Sequence, residues 1–311
     1  MSPMRAPVRV SRDDVPSRVT IWEVGARDGL QNESTVVGTA TKIELIDRLG
    51  AAGLPIVEAT SFVRPDRVPQ LADAPEVMAG IARRDDVRHP VLVPNLRGLD
   101  AAVEAGVREI AVFASATDTF AQRNLGRPMA EQMAMFTPVV ERARGLGLPV
   151  RGYVSMCFGD PWEGAVDPAQ VVDVCSELVG VGCTSLSLGD TIGVATPGQV
   201  VSLVERLVRT GVALESVGVH FHDTYGQALA NTLAALTAGV TTVDSSAGGL
   251  GGCPFAESAT GNLATEDLVW MLDGLGVETG VDLEALVATS VWMAGQLGRP
   301  AVSRVVQAIG G

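Results

Sequence analysis

The chain is poor in histidine, with three in 311 residues, and poorer still in lysine, since Lys42 is its only one. Its net charge of −13 includes no basic run that could follow a phosphate backbone, which excludes nucleic acid as the expected partner. No stretch of about 18 uninterrupted apolar residues occurs, so no transmembrane helix is expected. The four cysteines, Cys157, Cys175, Cys183 and Cys253, form no CxxC pair and lack the density of a secreted disulfide scaffold. Reduced thiols follow. No GxGxxG succeeds the first candidate strand, and no low-complexity linker divides the chain. Residues 1–18, MSPMRAPVRVSRDDVPSR, mix arginines with two aspartates and have no apolar h-region. They are expected to be a loose extension and not a secretory signal.

What is there is a regular alternation. With 47% hydrophobic and 19% charged residues, the composition is that of a globular chain with ample core. Short β-branched runs, VTIWEVGA, PIVEATSF, HPVLVPN, EIAVFAS, VRGYVSM, SLSLGDT, SVGVHFHD and TTVDSSAGG, alternate with amphipathic stretches such as TATKIELIDRLGAAG and GQALANTLAALTAG. Many of the latter end in glycine, where a helix C-cap belongs. Alternating β and α elements imply a parallel sheet, and eight units in about 250 residues match a (β/α)8 TIM barrel. An additional C-terminal helix is expected from Asp282 to Leu297, and residues 19–311 are read as one catalytic domain. An open doubly wound sheet ranks second, because the polar motifs follow many strands and not one switch point.

The barrel makes a site out of scattered residues, since its active sites lie at the carboxyl ends of the strands. Arg27 and Asp28 end the first strand, Glu58 lies in the second and Asp190 ends the sixth. His220 and His222 end the seventh, and Cys253 follows the eighth. Strand periodicity puts His220 and His222 on one face with Phe221 on the other, so both imidazoles can reach one cation. Asp28 is the best-placed carboxylate, and Asn262 could lend an amide oxygen. Such an oxygen and nitrogen set suits Mg²⁺ or Mn²⁺ better than structural zinc. Each residue also has a plainer use: an HxH can be structural, Asn262 or Thr265 can cap a helix, and Asp28 before Gly29 can make a turn. His89 is read as structural. Arg27 is open to a salt bridge with Glu58 or Glu23, and equally to stabilising an oxyanion. Cys253, set in GGLGGCPF, is expected on a loop able to carry a thiol over the site.

Taken together, WEVGARDGLQNE, EATSFV, SLGDTIGV, VHFHDTYGQALANTL, GLGGCPFA and GNLATEDL resemble the 3-hydroxy-3-methylglutaryl-CoA lyase family. The likeness runs in order from Val19 to the C-terminus. It implies divalent-cation-dependent cleavage of that acyl-CoA to acetyl-CoA and acetoacetate. Asp28, His220, His222 and Asn262 match the cation ligands, and Arg27 the group that stabilises the enolate. Cys253 matches the proton-transfer thiol, while Asp28 or His220 is left as the base. Glu58, Asp190 and Glu266 match further acidic positions of the site, and Glu23 a support residue. Two departures stand out: Phe221, where some relatives have cysteine, and Ser34, which replaces a basic residue and weakens one expected contact to CoA. The resemblance also implies a homodimer. The preference for arginine over lysine suggests a GC-rich bacterial gene and hence a cytoplasmic enzyme. Three alternatives remain at this level: a lyase for a related 3-hydroxy-3-alkylglutaryl-CoA, a condensing synthase using acetyl-CoA and a 2-oxo acid, and a non-catalytic metal-binding barrel.

Overall fold

The strands are buried on both faces, as parallel strands wrapped by helices must be. In the computed structural model, which describes residues 4–251 and 261–310, Ile110–Ser115 has five of its six residues buried. The strands are β1 Thr20–Glu23, β2 Ile56–Val57, β3 Thr60–Ser61, β4 Val91–Leu92, β5 Ile110–Ser115, β6 Val150–Ser155, β7 Ser185–Asp190, β8 Val217–Phe221 and β9 Thr242–Ser245. All pair in parallel, in the order β2-β1-β9-β8-β7-β6-β5-β4-β3. The two ends of that order are halves of one run, separated only by Glu58 and Ala59. Glu58 N–H donates to Glu23 O at 2.8 Å and Ala59 N–H to Pro90 O at 3.0 Å, which closes the ring. The second expected strand is therefore broken at the position that turns Glu58 inward, and the eight expected strands become nine segments.

Helices return the chain between strands: α1 Thr39–Ala51, α2 Ala74–Gly80, α3 Leu96–Glu104, α4 Asp118–Leu125, α5 Met129–Gly145, α6 Pro168–Val181, α7 Pro197–Arg209, α8 Ala228–Thr237 and α9 Thr265–Gly274. Local chemistry sets their ends. Asp167 accepts from Ala169 N–H ahead of α6, Pro168 occupies its first turn, and Gly182 stops it at φ 113°. The C-terminal helix, α10 Leu283–Leu297, is capped by Asp282 as expected and ended by Gly298. A short α11, Arg304–Ile309, follows it and was not expected. Asp267 anchors its start by accepting from Ser303 Oγ and from the Arg304 and Val305 N–H groups.

The core lies between the ring and the helices. Phe136 on α5 is fully buried, with its ring 5.8 Å from that of Phe113 on β5. Replacing it by alanine is expected to cost about 3–5 kcal/mol, measurable by denaturant unfolding. No helix among the described residues is long and apolar enough to cross a membrane.

Candidate active site

After β1 the chain makes a single π turn, Gly25–Gly29, in which Gly29 N–H donates to Val24 O at 3.1 Å. Close approach demands both glycines: a Cβ on Gly25 would lie 2.6 Å from Glu23 Oε1, and one on Gly29 2.8 Å from Leu250 Cβ. Arg27 and Asp28 thus project from this turn and not from the strand itself. Arg27 is 6% exposed; its Nε donates to Glu58 Oε1 and its Nη1 to Asp28 Oδ1 at 2.6 Å. Glu58 also accepts from Trp22 Nε1 at 3.0 Å and from the Tyr153 hydroxyl. Of the two partners the sequence offered Arg27, Glu58 takes the role. Glu23 instead accepts from Gly25 N–H, Ala247 N–H and Thr265 Oγ1 at 2.7, 2.9 and 2.6 Å.

At the end of β8 the His220 and His222 rings have centroids 5.3 Å apart. Asp28, His220 and His222 each offer a ligand atom, and these atoms lie within 4.8 Å of one another. Asn262 reaches them because residues 261–264 fold back against the strand ends. Leu263 N–H donates to Phe221 O at 3.0 Å, and Ser246 N–H to Leu263 O at 2.9 Å. Asn262 Nδ2 then donates to Asp28 Oδ2 at 2.9 Å and to Leu250 O at 3.1 Å.

The protonation states follow from this packing. Burial opposes ionisation of Asp28, but Arg27 and the two imidazoles hold its carboxyl down at about 2. Burial, with His220 beside it, lowers His222 to about 4. For His220 burial acts downward, yet the Asp244 carboxylate raises it above the usual range. At neutral pH Asp28 is an anion and His222 a free base, the forms that ligate. His222 Nδ1 and Asn262 Oδ1 are buried without a hydrogen-bond partner. Unpaired donors and acceptors inside a protein are costly, and a cation beside them would use the amide oxygen. One carboxylate, two imidazoles and one amide oxygen therefore fit a divalent cation of the Mg²⁺ or Mn²⁺ kind.

A cavity of about 660 Å³ opens over this cluster. Arg27, Asp28, His220 and His222 line it, with Leu92, Phe113 and Met135 as apolar wall. Arg64, Arg67 and Arg123 also line it, and the Arg123 guanidinium lies 4.4 Å over the Trp162 ring. Asp190 and Glu266 sit at the expected strand and helix ends but are not among the lining residues. Asp190 accepts from Val194 N–H at 2.9 Å and Ala195 N–H at 3.0 Å, holding the loop after β7. Glu266 accepts Gly248 N–H at 2.9 and 3.0 Å and the Ser290 hydroxyl, holding the turn after β9. Cys253 lies outside the described residues. His89 is half-buried and stands apart from the cluster, in keeping with a structural residue.

Sequence reading passed over Asp244, Arg151, Ser187 and Tyr153, all buried on inward positions of β9, β6 and β7. The two-residue spacing of Arg151, Tyr153 and Ser155 was the available signal.

Glu23 and Glu266 give a pH signature to the fold. Burial pushes them up to about 7 and about 8. The native state then binds more protons than the unfolded chain from about pH 4.5 upward, so this contribution to stability is full at acid pH and is lost as pH rises through 7–8. Denaturant unfolding between pH 6 and 8 should show a flatter decline for Glu266→Gln than for the parent. An unchanged slope would mean that Glu266 is ionised in the native protein.

Fold and cluster together define a (β/α)8 barrel enzyme with a candidate divalent-metal centre at the carboxyl ends of its strands. The chain belongs to the HMGL-like family, whose profile matches residues 18–292. It is 49% identical over 308 residues to the mitochondrial hydroxymethylglutaryl-CoA lyase of Bos taurus, covering 99% of this chain and 94% of that one. The crystal structure of hydroxymethylglutaryl-CoA lyase from Pseudomonas aeruginosa superposes with a TM-score of 0.93 at 49% identity, over 95% of this chain and 98% of that one. An HMG-CoA lyase from Acinetobacter baumannii, in complex with coenzyme A and 3-methylmalate, gives 0.90 at 38% identity, over 96% and 97%.

Proposed function

We infer that this enzyme is a carbon–carbon lyase that cleaves 3-hydroxy-3-methylglutaryl-CoA to acetyl-CoA and acetoacetate. The carrying observation is the convergence of Asp28, His220 and His222 beside Arg27 at one cavity. Full-length likeness to lyases of that name supports the substrate. Arg67 and Arg123, with Arg64 beside its partner Asp66, bring to the cavity wall the positive charge that a CoA phosphate chain requires, within an otherwise acidic protein.

A divalent cation bound by Asp28, His220 and His222, with Asn262 Oδ1, would act as a Lewis acid that makes the substrate's tertiary hydroxyl more acidic. Mg²⁺ and Mn²⁺ both suit that set. The rest falls to the chain. Asp28 or His220, the two groups left by the sequence as base and both at this cluster, would take the hydroxyl proton. As the carbon–carbon bond breaks, the electron pair moves onto the thioester as an enolate. Arg27, locked by Glu58 and Asp28, presents a fixed cation to that oxygen without reorganising. Cys253, read from the sequence as the proton-transfer thiol, would return a proton to the carbon.

The test incubates the purified protein with this thioester and Mg²⁺ or Mn²⁺ and follows acetoacetate. No product from folded, cation-loaded protein would refute the assignment. The reading extends to a homodimer and a cytoplasmic location, the latter supported by the preference for arginine over lysine, which suggests a GC-rich bacterial gene.

A further inference from the structure

We propose that Asp244 is a positioning residue that fixes the tautomer and ring angle of His220. It rests on the reading of His220 as a cation ligand. The register aligns Asp244 on β9 with His220 on β8, so the two side chains rise from neighbouring strands on one face. Asp244 is 1% exposed, and both its oxygens are engaged. Oδ1 accepts from Arg151 Nη2 at 2.6 Å, and Oδ2 accepts from Ser187 Oγ at 2.8 Å. Oδ2 also faces His220 Nδ1 at 3.4 Å, longer than a formed hydrogen bond but closed by a small rotation of the ring.

An anionic carboxylate only accepts. The atom it faces must therefore carry the proton, so His220 holds N–H at Nδ1 and leaves the lone pair of Nε2 for a cation. Arg151 and Ser187 keep the carboxylate from turning away, because each holds one of its oxygens. The pattern does not repeat at His222: Nδ1 of both rings is buried without a formed hydrogen bond, but among the described residues only that of His220 faces a carboxylate within 4 Å. Of the two imidazoles, only His220 is orientated from behind by a charge.

A plainer role for Asp244 is counter-ion to Arg151, a fully buried guanidinium that also lies 3.9 Å over the Trp22 ring. Asp244→Asn separates the two roles. The asparagine oxygen can still accept from Arg151, which turns the amide N–H₂ toward His220 and reverses the demand on Nδ1. The Mn²⁺ dissociation constant is expected to rise about 10–100-fold, the usual consequence of losing an outer partner of a ligating imidazole. Independently of any metal, ¹⁵N imidazole spectra of the cation-free protein in alkaline buffer should place the His220 proton on Nδ1 in the parent and on Nε2 in the variant. With three histidines, assignment needs only the His89 and His222 single substitutions.

A folded Asp244→Asn protein with parental tautomer and parental Mn²⁺ affinity would overturn the proposal, leaving Asp244 a counter-ion alone. So would a parent whose His220 carries its proton on Nε2. If the single variant does not fold, Arg151→Met/Asp244→Asn removes the charge together with its counter-ion and is read by the same two measurements. A parent that binds no Mn²⁺ would refute the metal centre, while the spectra would still decide the role of Asp244.

Discussion

Arg27→Gln is expected to lower kcat by ~10²–10³-fold, equivalent to about 2.7–4 kcal/mol of transition-state stabilisation. The structure says why one side chain carries so much. The guanidinium is buried, and two carboxylates, Glu58 through Nε and Asp28 through Nη1, fix its plane. It is therefore aimed before any substrate arrives, and no energy is lost in turning it at the moment the enolate forms. Because the interaction strengthens only as negative charge develops, KM should change little while kcat falls. Arg27→Lys should not rescue turnover, since an ammonium cannot span both carboxylates with one planar fork. Steady-state kinetics with saturating Mg²⁺ reads the effect directly. A glutamine variant with near-parental kcat would remove Arg27 from the chemistry and leave it a salt bridge.

Chelation should abolish turnover, and Mg²⁺ or Mn²⁺ should restore it. Deletion of an outer partner already costs about 10–100-fold in metal affinity, so His222→Ala, which removes a ligand outright, should weaken Mn²⁺ binding by more than ~10²-fold. His222 is the cleaner ligand to delete. His220 is tied to Asp244, and Asp28 to Arg27, so substitutions there unpair a buried charge as well. Mn²⁺ titration followed by electron paramagnetic resonance separates loss of binding from loss of rate. Parental affinity in His222→Ala would mean that the cation, if bound, sits elsewhere.

Much of this architecture is legible in the residue order. Glycine at helix ends, Asp282 ahead of the last long helix and the alternation of elements are local signals, and the structure repeats them. The departures are equally physical. The second strand breaks at Glu58 and Ala59 because its halves pair with different neighbours, β1 on one side and β4 on the other. No pattern within the strand announces that division. The helix from Arg304 to Ile309 is too short to show a periodicity, and a distant residue, Asp267, anchors its start. Asp190 and Glu266 are matched from the sequence to acidic positions of the family's site; in the fold their oxygens hold backbone N–H groups of nearby turns, a placement made by loop geometry.

Sequence alone determined the class of fold, the side of the barrel on which chemistry sits and the shared face of His220 and His222. All three depend on periodicities of two and 3.6 residues that a linear reading can count. Tertiary structure alone decided that Arg27 pairs with Glu58 and not Glu23, that Asn262 returns to Asp28, and that Asp244 stands behind His220. Those contacts join different strands and loops across a closed ring. Partner choice there depends on register and ring closure, which are properties of the assembled sheet and of no single segment.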